Sequence, residues 1–255
     1  MPSKLELLAV PGFPLVTPGD DLAALLADCL AAAGIVLQDG DAVVFAQKVV
    51  SKAEGRLVDL AQVSPSPRAL ALANLVAKDP RLVEVILSES RRVVRQRENV
   101  LIVEHRLGLV MANAGVDQSN VASADSGEFA LLLPVDPDAS ARRLRAALSQ
   151  RCGCSLAVII NDSFGRPWRR GSVGVAIGCA GLTALADLRG KPDMFGRTLR
   201  VTEVGLADEV AAAASLLMGQ ADEALPIVIV RGLALEEVGT PAAVLIRSPD
   251  EDLFK

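Results

Sequence analysis

The stretch Ile159-Ile160-Asn161-Asp162-Ser163-Phe164-Gly165-Arg166-Pro167-Trp168-Arg169-Arg170-Gly171 joins an apolar run to a carboxylate, a hydroxyl and three arginines. Residues 156–160 read as a buried strand that delivers Asp162 and Ser163 to a rim, where their oxygens can hold a metal or face an anionic substrate. The same pattern also describes a strand closed by an Asx-type turn with solvated arginines. Two further stretches place polar groups just beyond apolar runs, Lys48 to Lys52 and Asn113 to Asn120. Asp117 and Asp162 offer oxygen ligands from two separate loops, which suits Mg²⁺ or Mn²⁺. A metal that bridges phosphates also calls for positive side chains that neutralise a transferred phosphoryl group. Lys48, Lys52, Arg166 and Arg169 are the candidates.

The elements that must position these groups follow from pattern and punctuation. Residues 5–10 read as a strand, broken by Pro11-Gly12-Phe13-Pro14. Asp20 and Asp21 suit the start of an amphipathic helix over 22–33, which Gly34 ends. Residues 42–46 form a second strand, and 48–52 continue it with two lysines at its end. Helical periodicity predicts helices over 68–76 and 81–90. A basic segment covers 91–99, and a strand pair, 100–103 with 107–112, surrounds Glu104-His105-Arg106. A cap at 134–140 precedes a helix over 141–149. The small residues from Gly174 to Gly181 suit close backbone approach. Residues 199–202 and 227–230 read as strands, and 206–218 as a buried helix, apolar nearly all round.

Composition excludes several function classes. The chain has 255 residues, half of them apolar but only 3% aromatic, so its core is built from Ala, Val, Leu and Ile. A net charge of −5 argues against a broad nucleic-acid surface. No apolar run approaches the roughly 20 residues of a membrane helix, and the N-terminus lacks a signal-peptide pattern. Cys29, Cys152, Cys154 and Cys179 show no paired metal-ligand spacing and read as reduced thiols of a cytoplasmic protein. His105 is the sole histidine and no G-x-S-x-G elbow is present, which disfavours Ser-His or Cys-His catalysis. No Walker loop occurs, and no G-x-G-x-x-G follows a strand, so any nucleotide site is of another kind.

The chain resembles the coenzyme F420-0:γ-glutamyl ligase family over nearly its whole length. The matching segments begin with Pro11-Gly12-Phe13-Pro14, Pro18-Gly19-Asp20-Asp21-Leu22 and Gln47-Lys48-Val49-Val50-Ser51-Lys52-Ala53-Glu54-Gly55-Arg56. They continue with Ala112-Asn113-Ala114-Gly115-Val116-Asp117-Gln118-Ser119-Asn120-Val121 and Leu132-Leu133-Pro134-Val135-Asp136-Pro137-Asp138. Asp162-Ser163-Phe164-Gly165-Arg166-Pro167-Trp168-Arg169, Phe195-Gly196-Arg197, Ala207-Asp208-Glu209 and Leu217-Met218-Gly219 complete the series. Any one of these is weak; all of them in one order are highly specific.

The resemblance implies a two-domain α+β fold that forms a homodimer. We expect residues 1–85 and 190–255 to make one α+β domain and 86–189 an inserted second domain carrying the metal-site loops. It further implies a ligase that uses GTP and a divalent metal, Mg²⁺ or Mn²⁺, to add L-glutamate to the deazaflavin precursor coenzyme F420-0 and then a further γ-linked glutamate to F420-1. One or two divalent ions and a monovalent cation, K⁺, are the expected cofactors. Carried over by residue, Asp117 and Asp162 bind one metal, while Ser163 and Gln220 belong to a second. Pro11, Gly12, Phe13, Pro14, Gln47, Lys48, Lys52 and Asn120 contact GTP, with the loop Met218, Gly219, Gln220, Ala221 and Asp222. Lys52, Arg166 and Arg169 act on the transferred phosphoryl group. A carboxylate does not condense with an amine directly, since oxide would have to leave; phosphorylation of the precursor carboxylate gives an acyl phosphate that the glutamate amine attacks.

Two departures stand out. Some members carry Glu after the Met-Gly at the helix end, where this chain has Gln220; a neutral amide binds Mg²⁺ more weakly, or Asp222 or Glu223 substitutes. Glu104-His105-Arg106-Leu107-Gly108 replaces the more usual Glu-Thr-Arg-His-Gly, so His105 receives no role. No nitroreductase-like domain, fused to the ligase in some actinobacterial members, is expected after Lys255. Gln220 motivates the alternative of a non-catalytic relative that binds nucleotide or deazaflavin; a metal phosphohydrolase is a third reading.

Overall fold

The computed structural model describes residues 4–119, 128–233, 239–248 and 250–252. Strand β1 (Glu6–Ala9) leads to helix α1 (Leu22–Ala33), which starts where the Asp21 carboxylate accepts the Ala23 and Ala24 N–H groups and stops at Gly34, φ 67°. Such a cap contributes about 1 kcal/mol. Strand β2 (Ala42–Ala46) runs directly into α2 (Gln47–Ala53), so the lysine segment is a helix and not the expected strand extension. Gln47, Val50 and Ser51 turn inward from it, a helical spacing that a seven-residue segment gives only weakly in sequence. Next come β3 (Leu57–Asp59), α3 (Pro67–Val76) and α4 (Pro80–Ser88), the two helices capped by Ser66 and Asp79 with proline in their first turns.

The basic segment is a strand, β4 (Ser90–Arg97), antiparallel to β5 (Val100–His105), which pairs with β6 (Val110–Ala112). Strand β7 (Phe129–Leu131) pairs with β3. Helix α5 (Pro137–Cys152) is longer than expected at both ends, from its Asp136 cap to Gly153. Strands β8 (Ala157–Arg166) and β9 (Arg169–Ala180) form a long hairpin. A two-stranded ribbon, β10 (Ala186–Asp187) with β11 (Glu203–Val204), replaces the strand expected at 199–202. Helix α6 (Leu206–Met218) and strand β12 (Ile227–Arg231) complete the set. Leu216 of α6 is 79% exposed, so that helix is apolar on its outer face as well and not buried all round.

The main sheet has the order β1-β12-β2-β8-β9, with β2 and β8 parallel and the other neighbours antiparallel. Its strands are apolar on both faces because both faces are covered. Val158 and Ile160 join a core with α1 residues Leu26 and Leu30 and α5 residue Leu148. Ala157 and Ile159 join a second core with α6 residues Ala207, Ala211 and Ala214. A third core, from Leu60 to Leu132, holds α3 and α4 against β5. The architecture is mixed α+β, as expected. Hydrogen bonding runs across the expected domain boundaries, because β8 and β9, from within 86–189, share one sheet with β1, β2 and β12.

Strand direction gathers the candidate segments at one edge. Strands β1 and β2 both run antiparallel to β12, so the ends of β1, β2 and β8 and the start of β12 lie on the same side. Val10 N–H donates to Ile227 O at 2.9 Å and Ala46 N–H to Pro226 O at 2.8 Å, closing that edge. Pro11, Gln47, Asp162 and the loop before β12 therefore emerge together, in the place where open α/β sheets bind ligands.

Candidate active site

Asp117 sits behind an unusual turn. Asn113, Ala114 and Gly115 have φ of 52°, 55° and 66°, three successive left-handed residues. At Gly115 a Cβ would lie 2.9 Å from the Leu133 side chain, so both conformation and space require glycine. Beyond it, Asp117 and Leu131 exchange backbone hydrogen bonds of 3.0 and 2.8 Å, pinning the aspartate to β7. Its Oδ2 meets Lys48 Nζ at 2.6 Å. Its Oδ1 accepts the Ser119 N–H and hydroxyl at 2.8 and 2.9 Å. Lys48 also donates to the Ser119 hydroxyl at 3.0 Å. Burial works to raise the Asp117 pKa, but Lys48 and Ser119 outweigh it and hold the carboxyl below its ordinary value.

Asp162 lies in mid-strand, not at a strand end: β8 continues to Arg166 as one arm of the hairpin. What ends is its neighbour, since β2 pairs with β8 only as far as Asn161 and then becomes α2. A bulge in the β8–β9 register falls at the same point, between Ile160 and Asn161. Burial raises the Asp162 pKa to about 7, with the Asp117 charge adding to the rise, while the Ser163 N–H and Lys48 oppose it. Asp117 and Asp162 feel each other's charge, and a carboxyl that favours its proton beside an ionised carboxylate is one that a divalent cation could relieve.

Side chains alternate across β8. Ile160 and Asp162 face the core of α1 and α5, whereas Asn161 and Ser163 face α6. Asn161 Nδ2 donates to Ser215 Oγ at 2.9 Å and approaches Met218 Sδ at 3.3 Å, fixing the end of α6 to the strand. Ser163 Oγ donates to Gln220 Oε1 at 2.8 Å. The strand thus divides Asp117, Asp162 and Lys48 from the pair Ser163 and Gln220. Among the described residues no three Asp, Glu, His or Cys side chains converge as a metal-ligand group. A cation here would take two carboxylate ligands and draw the rest from phosphate and water, a set typical of Mg²⁺.

The other expected residues are distributed as follows. Lys52 lies one helical turn from Lys48, and burial together with the Lys48 charge lowers its pKa. Gln47 is buried, its Oε1 accepting the Ser51 hydroxyl at 2.8 Å. Pro11, Gly12, Phe13 and Pro14 follow β1 in a turn, Gly12 with φ 71°. Met218 is buried, Gly219 breaks α6 with φ 69° and ψ −170°, and Ala221 donates its N–H to Glu223 at 2.8 Å. Asp222 is exposed. Arg166 and Arg169 are placed away from the carboxylates, flanking the hairpin tip; four residues along a strand separate Arg166 from Asp162, about 13 Å. Asn120 lies outside the described residues.

Sequence reasoning missed Ser119 and Asn161, though each stands one or two residues from an aspartate, where short polar side chains commonly bond their neighbours. It also missed a buried charge cluster. Glu89 holds Arg56 and Arg106 at 3.0 Å each, and the fully buried His105 lies 3.5 Å away. His105 Nδ1 accepts the Leu107 N–H at 2.9 Å, and Arg56 Nε donates to Leu133 O at 2.9 Å. The cluster ties the loop after β5 to α4 and to the backbone at Leu133, and places the histidine in a packed interior.

Comparison with known proteins identifies the family. The family model F420-0:Gamma-glutamyl ligase matches residues 12–232. A coenzyme F420:L-glutamate ligase of Methanothermobacter thermautotrophicus is 47% identical over 98% of this chain and 99% of its own length. The protein of the same name from Methanopyrus kandleri is 48% identical over 98% of each chain. That of Methanocaldococcus jannaschii is 42% identical over 86% of each. With the match spanning most of its length and including every segment of the carboxylate–lysine edge, the chain belongs to the F420-0:gamma-glutamyl ligase family.

Proposed function

We propose that this chain is a GTP-dependent ligase that forms an amide between the terminal carboxylate of coenzyme F420-0 and the amine of L-glutamate, and then extends F420-1 through a γ-linkage. The observation that carries the reading is the convergence of Asp117, Asp162, Lys48 and Lys52 at one sheet edge, beside the loops that follow β1 and α6. Relatives named coenzyme F420:L-glutamate ligase match the chain almost end to end.

Asp117 and Asp162 would hold a divalent ion, Mg²⁺ or Mn²⁺, with Ser163 and Gln220 facing a second and K⁺ as a further cofactor. A bound ion supplies charge neutralisation on the phosphate oxygens. The residues do the remainder. Lys48, fixed by Asp117 and Ser119, presents its ammonium toward the phosphates. Lys52, half-buried, adds a second positive charge to the transferred group. The γ-phosphoryl group passes from GTP to the precursor carboxylate, giving an acyl phosphate and GDP. The glutamate nitrogen attacks the acyl carbon, loses a proton, and phosphate leaves. The loop Met218 to Asp222 and Pro11 to Pro14 would contact the nucleotide. We further propose a homodimer acting in the cytoplasm; no helix among the described residues is long and apolar enough to cross a membrane.

The test is incubation with F420-0, GTP, Mn²⁺ and glutamate, followed by mass spectrometry. The ligase reading expects a product heavier by one glutamyl residue with one GDP released per bond. GDP release with no mass gain would point to a phosphohydrolase, and nucleotide binding with neither would point to a binding relative.

A further inference from the structure

Residues of three matched segments stand apart from the carboxylate–lysine edge: Asp136-Pro137-Asp138, Phe164, and Asp208 of Ala207-Asp208-Glu209. All three line one cavity of about 330 Å³. It borders β9, with Leu109, Ile177 and Leu245 among its walls. Val175, which also lines it, is the residue paired with Asp162 across the hairpin. The cavity therefore begins one strand spacing from the proposed metal carboxylate. Its volume lies within the range of small-molecule sites, about 300–1,000 Å³.

The polar groups of this cavity are acceptors. Asp138 is engaged on both oxygens, Oδ1 taking the Cys179 and Ala242 N–H groups at 2.8 and 2.7 Å and Oδ2 the Ala243 N–H at 3.2 Å. Asp208 gives Oδ1 to the Ala176 N–H at 2.9 Å, and none of the described residues bonds its Oδ2. Apolar walls with carboxylates repel phosphate, and no described lysine, arginine or histidine lines the cavity to receive the two carboxylates of L-glutamate. What fits is a planar heteroaromatic ring with N–H or O–H donors on its rim. Two reactants of the ligase carry such a ring, the guanine of GTP and the deazaflavin of the precursor. Sheet order separates them. The proposed nucleotide loops follow β1, β2 and α6, on one side of Asp162, while the cavity lies on the β9 side. Phosphoryl transfer needs donor and acceptor on opposite sides of the phosphorus.

We propose that this cavity holds the deazaflavin ring of the acceptor, with Asp208 Oδ2 accepting a hydrogen bond from the ring and Phe164 packing against it. The inference rests on the ligase reading above. Val175, Ala176 and Ile177 line the cavity along β9, so the strand flanks the ring over about 7 Å.

The deazaflavin chromophore reports its own binding by fluorescence. Its Kd is measured without nucleotide for the wild-type chain, Val110→Trp and Asp208→Asn; the Kd of GTP with Mn²⁺ is measured in parallel. Val110 lines the cavity and is 48% exposed, so tryptophan fills the cavity without disturbing a core. Asparagine at 208 keeps an oxygen for Ala176. We expect the deazaflavin Kd to rise by about tenfold or more in Val110→Trp and about threefold in Asp208→Asn, with GTP binding unchanged within about twofold. Unchanged deazaflavin affinity in both folded variants overturns the assignment while leaving the ligase reading intact. Weakened GTP binding with unchanged deazaflavin binding overturns it in favour of guanine. A wild-type chain that neither binds the precursor nor adds glutamate overturns both readings.

Discussion

The two faces of β8 at residues 161–163 differ in kind. On the face toward α1 and α5, Asp162 adjoins Asp117 and Lys48, three ionisable groups whose protonation depends on one another. On the face toward α6, Ser163 and Gln220 are neutral and already bonded to each other. On the first face a proton relieves the buried carboxyl, and under the proposed function a cation would take its place; the second offers two neutral oxygens, to which a cation would come only with phosphate. The strand thus separates a site the protein charges itself from one that depends on its ligand.

That contrast can be broken by substitution. Asp162→Asn is expected to reduce turnover by about 100-fold or more while leaving the fold intact, read by steady-state glutamate addition and circular dichroism. Near-normal activity would show that the first face is not the metal site. Lys48→Ala removes the ion-pair partner of Asp117 and is expected to lower kcat/KM for GTP by about 10- to 100-fold.

The pH dependence of stability follows from Asp162. Its carboxyl is raised to about 7 in the folded chain against an ordinary value near 3.8, so between those pH values the folded state holds a proton that the unfolded state has released. Its contribution to stability is present below the ordinary value and is lost as pH rises toward 7. Metal-free wild-type protein should therefore lose stability over that interval more steeply than Asp162→Asn, measured by urea unfolding at several pH values. Equal slopes would contradict the burial of this carboxylate. The smallest effect belongs to the second face. Gln220→Glu should tighten Mn²⁺ binding in the presence of GTP by about 3- to 10-fold, because a carboxylate replaces an amide oxygen. An unchanged or weaker affinity would place the second ion elsewhere.

Where sequence and structure agree, the signals were local. Helix α1 carries its aspartate cap and terminal glycine on either side of an apolar run, and β2 is a five-residue apolar strand between turns. Where they differ, the deciding partner is distant in sequence. The segment 47–53 is too short for its period to show, and β4 carries arginines that pair with Glu104 of β5, a strand disguised by its solvated charges. Asp162 was legible as a candidate, but its position beside the end of β2 depends on a parallel pairing across more than a hundred residues. The cap-and-glycine grammar of a segment is written within it; the burial that raises Asp162 is not. The arginines at the hairpin tip show the converse, since sequence proximity to Asp162 did not bring Arg166 or Arg169 beside it.

The most direct test of the Asp117–Asp162 centre is Mn²⁺ binding followed by electron paramagnetic resonance, with wild type, Asp117→Asn and Asp162→Asn titrated in the presence of a non-hydrolysable GTP analogue. The account predicts one tight site in the wild type that weakens by about 10-fold or more in each variant. Equal Mn²⁺ affinity in all three proteins would contradict it.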